Sequence, residues 1–358
     1  MNRDNILDEP PPRSVVVVRA LRLGDLLCAV PALRALRAAL PGARITLLGL
    51  PLAQKFVERY GRYLDAFLDF PGFPGLPEQA PGIRQLPSFL ASLQQAHFDL
   101  AIQMHGSGLV SNPLTMLLGA RVNAGFFQRG QYCPDVARFL PYPSDEPELR
   151  RHLKLMGFLG FPPKGEDMEF PLYAEDLQSV ASVDPQGILV PGGYICIHPG
   201  ARATARRWSA RRFAAVADSL ARKGLHVAIT GAADESDLTA AVARMMKAPS
   251  LDLGGRTNIG SLAAVLAGAR LLICNDTGVS HMASALHVPS VVIFTASDPM
   301  RWAPLDKQRH RVVRQPVVCS PCEYPTCPRD HRCASSVTVK SVLIEAEKLL
   351  RREYDCAA

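Results

Sequence analysis

The chain has 358 residues, 48% hydrophobic and 20% charged, which exceeds one minimal core and is ordinary for two domains of roughly 150 to 180 residues; disorder as the main state is excluded. No stretch reaches about 18 uninterrupted apolar residues, and the opening MNRDNILDEPPPR carries acids and prolines where a leader would be basic and then apolar, so neither a membrane span nor export is expected. Forty basic against thirty-three acidic residues leave +7, a mild excess that suits an anionic small molecule or a membrane surface without demanding nucleic acid. Nine cysteines, five of them scattered singly (Cys28, Cys133, Cys196, Cys274, Cys356), point to a reducing cytoplasm.

In chain order, 1–13 reads as a flexible tail. The β-branched run SVVVVRA (14–20) is followed by Gly24 and by Leu26, Val30, Leu33, Leu36 and Leu40 at helical spacing. Pro31 inside that pattern predicts a late start or an early kink. RITLLG (44–49) completes a β-α-β unit, and hence a parallel sheet. Further strands are expected at 66–70, 99–103 and 121–125, with a Pro/Gly-rich loop at 71–87. The segment 184–193 reads as a linker closing a domain over 14–183. A second alternation follows: strands 194–200, 225–230, 250–253, 270–275 and 289–294, with helices 209–223, 234–247, 259–268 and 279–287. A last amphipathic helix at 338–352 follows this second domain (194–337) and precedes a short tail to 358. The expected class is α/β, two doubly wound domains, with ligands beyond the carboxyl ends of the strands.

Three constellations sit at such ends. NDTGVSHMA (275–283) follows an apolar strand and opens a helix: Asp276 or Thr277 is a sound cap, Gly278 allows close backbone approach, and the first-turn N–H groups form an anion site. The plain alternative is an ordinary capped helix with His281 in the core. HPGARATARRWSARR (198–212) gathers five arginines; Arg211 and Arg212 read as a solvated helix face, whereas Arg202 and Arg206 lie in the loop, placed to grip phosphate oxygens. RLGDLL (22–27) puts Asp25 just past the first strand, either as a helix-start carboxylate or as a general base facing the anion site.

No G-x-G-x-x-G follows either first strand, no G-x-x-x-x-G-K-[ST] occurs, and there is no D-x-D pair to hold a metal on a sugar nucleotide. CSPCEYPTCPRDHRC (319–333) could be a structural staple, a metal or redox centre, or four free thiols at Cys319, Cys322, Cys327 and Cys333.

Taken together, RLGDLLCAVPALRALRAALPGARITLLG, HPGA…RRW…RF and NDTGVSHMASALHVPSVVIF resemble glycosyltransferase family 9, the ADP-heptose:lipopolysaccharide heptosyltransferases, over about residues 14–350. The resemblance implies a GT-B fold, with the N-terminal domain taking the acceptor and the C-terminal one the nucleotide sugar. It implies inverting, metal-independent transfer with no required cofactor, an ADP-sugar donor, and a lipid-linked saccharide acceptor at the inner membrane face. Asp25 matches the family's proposed base. Asp276, Thr277, Gly278 and His281 match the motif holding donor diphosphate and sugar, Glu235 a carboxylate on the ribose, and Thr257 a position bordering adenine. Arg206 stands where the family has a phosphate-contacting lysine, a departure that keeps the charge and changes its geometry. The expected form is a cytoplasmic monomer, free in the cytoplasm or peripheral at the inner face of the membrane, with acceptor contacts in 71–87 and 104–135, where Arg84, Arg121 and Arg129 either meet phosphates or are merely solvated. Other donors or acceptors on the same fold, an epimerase, or a non-catalytic metal- or nucleic-acid-binding module remain the alternatives.

Overall fold

The structure, a computed structural model, describes residues 10–356, with side chains through Arg351; residues 1–9 of the expected tail and the last two residues lie outside that range. The chain divides into two compact units, Met1–Met168 and Glu169–Ala358.

The first unit runs β1 (Ser14–Val18), α1 (Leu23–Ala39), β2 (Arg44–Gly49), α2 (Ala53–Arg59), β3 (Ala66–Asp69), α3 (Leu86–Gln95), β4 (Leu100–Gln103), α4 (Ser111–Leu117), β5 (Val122–Phe127), β6 (Phe139–Pro141) and α5 (Glu148–Phe158). Its strands form one parallel sheet in the order β3-β2-β1-β4-β5-β6. β1 is central, with Val15 opposite both Ile45 and Leu100, and its valines are fully buried. A strand covered on both faces carries an unbroken apolar run and no alternation, which is why its sequence is legible. The expected late start of the first helix does not occur: α1 begins at Leu23 and continues through Pro31. Pro31 lies on its buried side, where packing against α5 outweighs the roughly 3 kcal/mol a proline costs inside a helix.

The second unit runs α6 (Ala174–Val183), β7 (Tyr194–His198), α7 (Ala210–Ala221), β8 (His226–Ile229), α8 (Ser236–Met245), β9 (Leu251–Asp252), α9 (Ile259–Gly268), β10 (Leu271–Asn275), α10 (Gly278–Ala285), β11 (Ser290–Ile293), α11 (Pro299–Trp302), β12 (His310–Val313), α12 (Arg332–Ser336) and α13 (Val339–Cys356). The sheet order is β12-β11-β10-β7-β8-β9, again all parallel. Read from β9, it repeats the order of the first sheet. α6 packs on α9, and Gly192 N–H bonds the Gly268 carbonyl at 2.9 Å. The stretch expected to be a linker is therefore knit into the second unit.

In both sheets the strand order reverses beside the first strand, between β1 and β4 and between β7 and β10. That reversal opens a crevice at the carboxyl ends of the strands, the ligand position of doubly wound folds.

Candidate active site

In the second unit the crevice is held by Asn275, the fully buried last residue of β10. Its Nδ2 donates to the Pro199 carbonyl at 2.8 Å and the Gly200 carbonyl at 3.3 Å, and its Oδ1 accepts the Trp208 N–H at 2.9 Å. One amide thus fixes both ends of the loop carrying Arg202 and Arg206. Arg202 is exposed. Arg206 faces Asp276 across 3.5 Å, with the arginine 37% and the aspartate 3% exposed. Thr277 is the N-cap of α10 but makes no side-chain cap bond; Ser280 Oγ donates to its carbonyl at 2.8 Å. His281 is buried, its ring 6.1 Å from that of Trp302, over which Arg301 stacks.

Glu235 lies one loop over, after β8. Its Oε2 accepts the Ala232 N–H at 3.1 Å and lies 3.7 Å from His198 Nε2. His198 Nδ1 is hydrogen-bonded to Thr230 Oγ1 at 3.0 Å. Burial holds His198 down to about 4, so near neutral pH the ring is uncharged and forms no ion pair with Glu235. A Cβ on Gly200 would fall 2.1 Å from Glu235 Oε2, so any side chain there would push the carboxylate aside. Thr257 is half-buried on the next loop, which the Gly255 N–H ties to the Gly231 carbonyl at 3.0 Å. Arg202, Arg206, Glu235, Thr257, Asp276 and Thr277 therefore lie on the connections leaving the carboxyl edge of one sheet, and Gly278 and His281 lie in the α10 helix that one of them opens.

Arg212 departs from the sequence reading. It is not a solvated helix residue: its Nη1 donates to the carbonyls of Ala334, Ser335 and Val337 at 3.1, 2.7 and 2.6 Å. Arg207 likewise turns inward, onto the Ala201 carbonyl at 2.7 Å.

The Cys-rich segment buttresses this site through its backbone. Ala205 N–H bonds the Pro325 carbonyl at 3.2 Å, Cys322 N–H the Ala296 carbonyl at 2.6 Å, and Ser320 Oγ the Thr295 carbonyl at 2.5 Å. Thr295 Oγ1 closes the circuit on the Ala205 carbonyl at 3.1 Å. Cys319, Cys322, Cys327 and Cys333 are free thiols, and among the described residues no group of His, Cys, Asp or Glu could hold a metal ion. Of the readings the sequence leaves open, these hydrogen bonds act as a staple between the segment and the site. Burial, with the other three sulfurs nearby, pushes the Cys333 thiol up.

In the first unit Asp25 is half-buried in the first turn of α1, on the loop leaving β1. Arg19, which immediately follows β1, was not singled out from the sequence. Its Nε and Nη2 both donate to the Asp25 carbonyl, at 3.0 and 2.6 Å, and its Nη1 donates to the Met104 carbonyl. The neighbouring Ala20 N–H donates to His105 Nδ1 at 3.2 Å, so the ring proton sits on Nε2, 3.4 Å from Glu78 Oε1. That contact ties the 71–87 loop to the end of β4. Arg121 does not join this edge: it precedes β5 and pairs with Asp99, which precedes β4, at 3.7 Å. Both lie at the amino ends of their strands, away from the crevice.

Among the described residues no helix is long and apolar enough to cross a membrane. The family model of glycosyltransferase family 9 (heptosyltransferase) matches residues 87–332. Lipopolysaccharide heptosyltransferase 3 of Escherichia coli K12 is 25% identical over 296 residues, covering 78% of this chain and 82% of that protein. The glycosyl transferase family 9 structure from Veillonella parvula superposes with a TM-score of 0.77 at 21% identity, over 95% of this chain and 98% of the other. The E. coli heptosyltransferase WaaC with ADP-2-deoxy-2-fluoro heptose gives 0.64 at 20%, over 94% and 99%. With its two doubly wound units in the GT-B fold, the chain belongs to glycosyltransferase family 9, the heptosyltransferases.

Proposed function

We propose that the enzyme moves heptose from ADP-heptose to a hydroxyl of a lipopolysaccharide-core acceptor, with inversion and without a metal. The observation that carries this reading is the Arg206–Asp276 pair at the β7/β10 crevice, beside the N-terminus of α10. A guanidinium there, with Arg202 and the first-turn N–H groups at Thr277 and Gly278, suits a diphosphate. Glu235, a carboxylate beside a neutral His198, suits ribose hydroxyls, and Thr257 borders the base. Asp276 and His281 then face the sugar. Support for the donor comes from the WaaC neighbour, which carries an ADP-heptose analogue, and for the acceptor from the lipopolysaccharide enzyme among the relatives.

In the proposed mechanism Asp25 removes the proton of the acceptor hydroxyl as its oxygen attacks the anomeric carbon. The bond to the diphosphate breaks on the opposite face, and Arg206 and the α10 N-terminus stabilise the departing ADP. The enzyme acts on a lipid-linked saccharide at the inner membrane face, as a cytoplasmic monomer, and has no nucleic-acid partner.

The test is thermal stability against ADP, UDP, GDP, NAD⁺ and ADP-heptose without added metal, followed by transfer to a series of truncated-core lipopolysaccharides. A ligand at 100 times its Kd adds about 2.7 kcal/mol. Stabilisation by ADP and ADP-heptose alone, with heptose appearing on one of the acceptors, is expected. Preference for UDP or GDP overturns the donor, and donor loss without acceptor points to hydrolysis or epimerisation.

A further inference from the structure

We infer that Arg19 positions Asp25 for proton transfer, held there by its buried counter-charge Glu148; this rests on Asp25 being the base. Arg19 is 1% exposed, and a guanidinium out of water is costly unless every donor finds an acceptor and the charge a counter-charge. Each of its three nitrogens finds an acceptor and its charge a counter-charge. Two of its nitrogens converge on a single carbonyl, that of Asp25, and a third reaches Met104 at the end of β4. The fork therefore locks the first turn of α1 to the ends of both strands that flank the crevice. Fixing the Asp25 backbone leaves its carboxylate only side-chain torsions with which to wander.

The counter-charge is Glu148, 2% exposed at the start of α5, 3.4 Å from Arg19 Nη2. Glu148 also takes Arg151 Nη1 at 3.1 Å and His152 Nε2 at 3.2 Å. Arg151 in turn holds the Tyr142 hydroxyl and the Ser144 carbonyl, each at 2.7 Å. The cluster thus has two ends, one on the Asp25 turn and one on the segment after β6. A core that served stability alone would do as well or better with apolar side chains here. A lysine cannot reproduce the fork, because its ammonium is a point donor.

The two ends make the inference testable. Arg19→Met and Arg19→Lys are compared with Arg151→Met and Asp25→Asn, reading kcat, KM for ADP-heptose and for the truncated-core lipopolysaccharide the wild type turns over, and Tm. Misplacement of a reacting group by about 1 Å costs on the order of 100-fold. Arg19→Met is therefore expected to lower kcat about 10- to 100-fold with both KM values nearly unchanged, and Arg19→Lys to lower it by less. Arg151→Met breaks the same buried cluster and is expected to lower Tm while leaving kcat within about threefold of wild type. If Arg19→Met does not fold, Arg19→Lys decides: wild-type kcat in it overturns the inference. An equal kcat loss in Arg151→Met and Arg19→Met also overturns it, because the effect would then be loss of structure. Near-wild-type turnover in Asp25→Asn sinks the base assignment itself, whereas an inactive Asp25→Asn beside a fully active Arg19→Lys sinks only the positioning role.

Discussion

Replacing Asn275 by alanine removes three hydrogen bonds at once and leaves the Trp208 N–H and the Pro199 and Gly200 carbonyls facing an empty amide site. A buried polar group without its partner costs about 1–3 kcal/mol. The carbonyls have a second lone pair and some freedom to relax, so the low end applies to them, and the sum is about 3 kcal/mol. For a unit of this size that is a Tm lower by about 6–12 °C. The same bonds hold the loop of Arg202 and Arg206, so ADP affinity should fall with stability. The assay is urea unfolding monitored by tryptophan fluorescence, since Trp208 lies at the lesion, with ADP titration of the folded variant. Asn275→Asp is the sharper companion: it keeps the acceptor for Trp208 but turns a carboxylate on two carbonyls, so it should be at least as destabilised. Unfolding within about 1 kcal/mol of wild type, with ADP affinity intact, would refute the anchoring role, because the structure offers no route by which three buried bonds vanish at no cost.

Asp25→Asn should slow transfer about 10²- to 10⁴-fold with ADP binding unchanged, measured by ADP release and by calorimetry. Arg206→Ala should weaken ADP by about 10- to 100-fold, the worth of a charge-assisted bond of about 1.5–3 kcal/mol; unchanged affinity would remove it from the phosphate site. His198 and His310 are both held down to about 4 by burial. Their unfolded forms take up protons near pH 6.5, so stability is full above that value and declines as pH falls toward 4. Urea midpoints at pH 7.5 and 5 should differ, and His310→Gln should narrow the gap; a gap of the same size would assign the acid loss to other groups.

Much of the fold is legible because its central strands are covered on both faces. SVVVV, YICIH and LLICN could not sit on a half-wet sheet, and their order of helices between strands fixes a parallel arrangement. What escapes is short or lies at an edge. β6 is three residues ending in proline, and β12, HRVV, closes its sheet with two polar residues. The same logic divides the site. Asp25, Arg206 and Asp276 are legible because they follow strand ends in glycine-containing loops, whereas Glu235 is legible only through the family resemblance. Asn275 and Arg19 are the last residues of apolar runs, and only the three-dimensional structure shows each holding several backbone groups. Arg212 and Arg121 were misplaced for the opposite reason: an exposed helix arginine and one that grips three carbonyls carry the same sequence signal, and the end of the strand a loop residue serves depends on a boundary.

The distribution of buried charge sharpens the functional reading. Charged and polar side chains out of water are poor ways to stabilise a fold, yet Arg19 with Glu148, and the neutral His198 with Glu235, are kept at such positions, and Arg206 reaches Asp276 there. Each cluster stands at a strand end beside the reversal of its sheet, and each includes a residue on the very loop that carries Asp25 or the phosphate-side arginines. The two units share a strand order but not this chemistry. One holds a guanidinium beneath a carboxylate-bearing turn, and the other aims a guanidinium at a crevice lined by a helix N-terminus. A difference of that kind between two copies of one topology is what the proposed mechanism requires, with one unit to manage a proton and the other to manage a diphosphate.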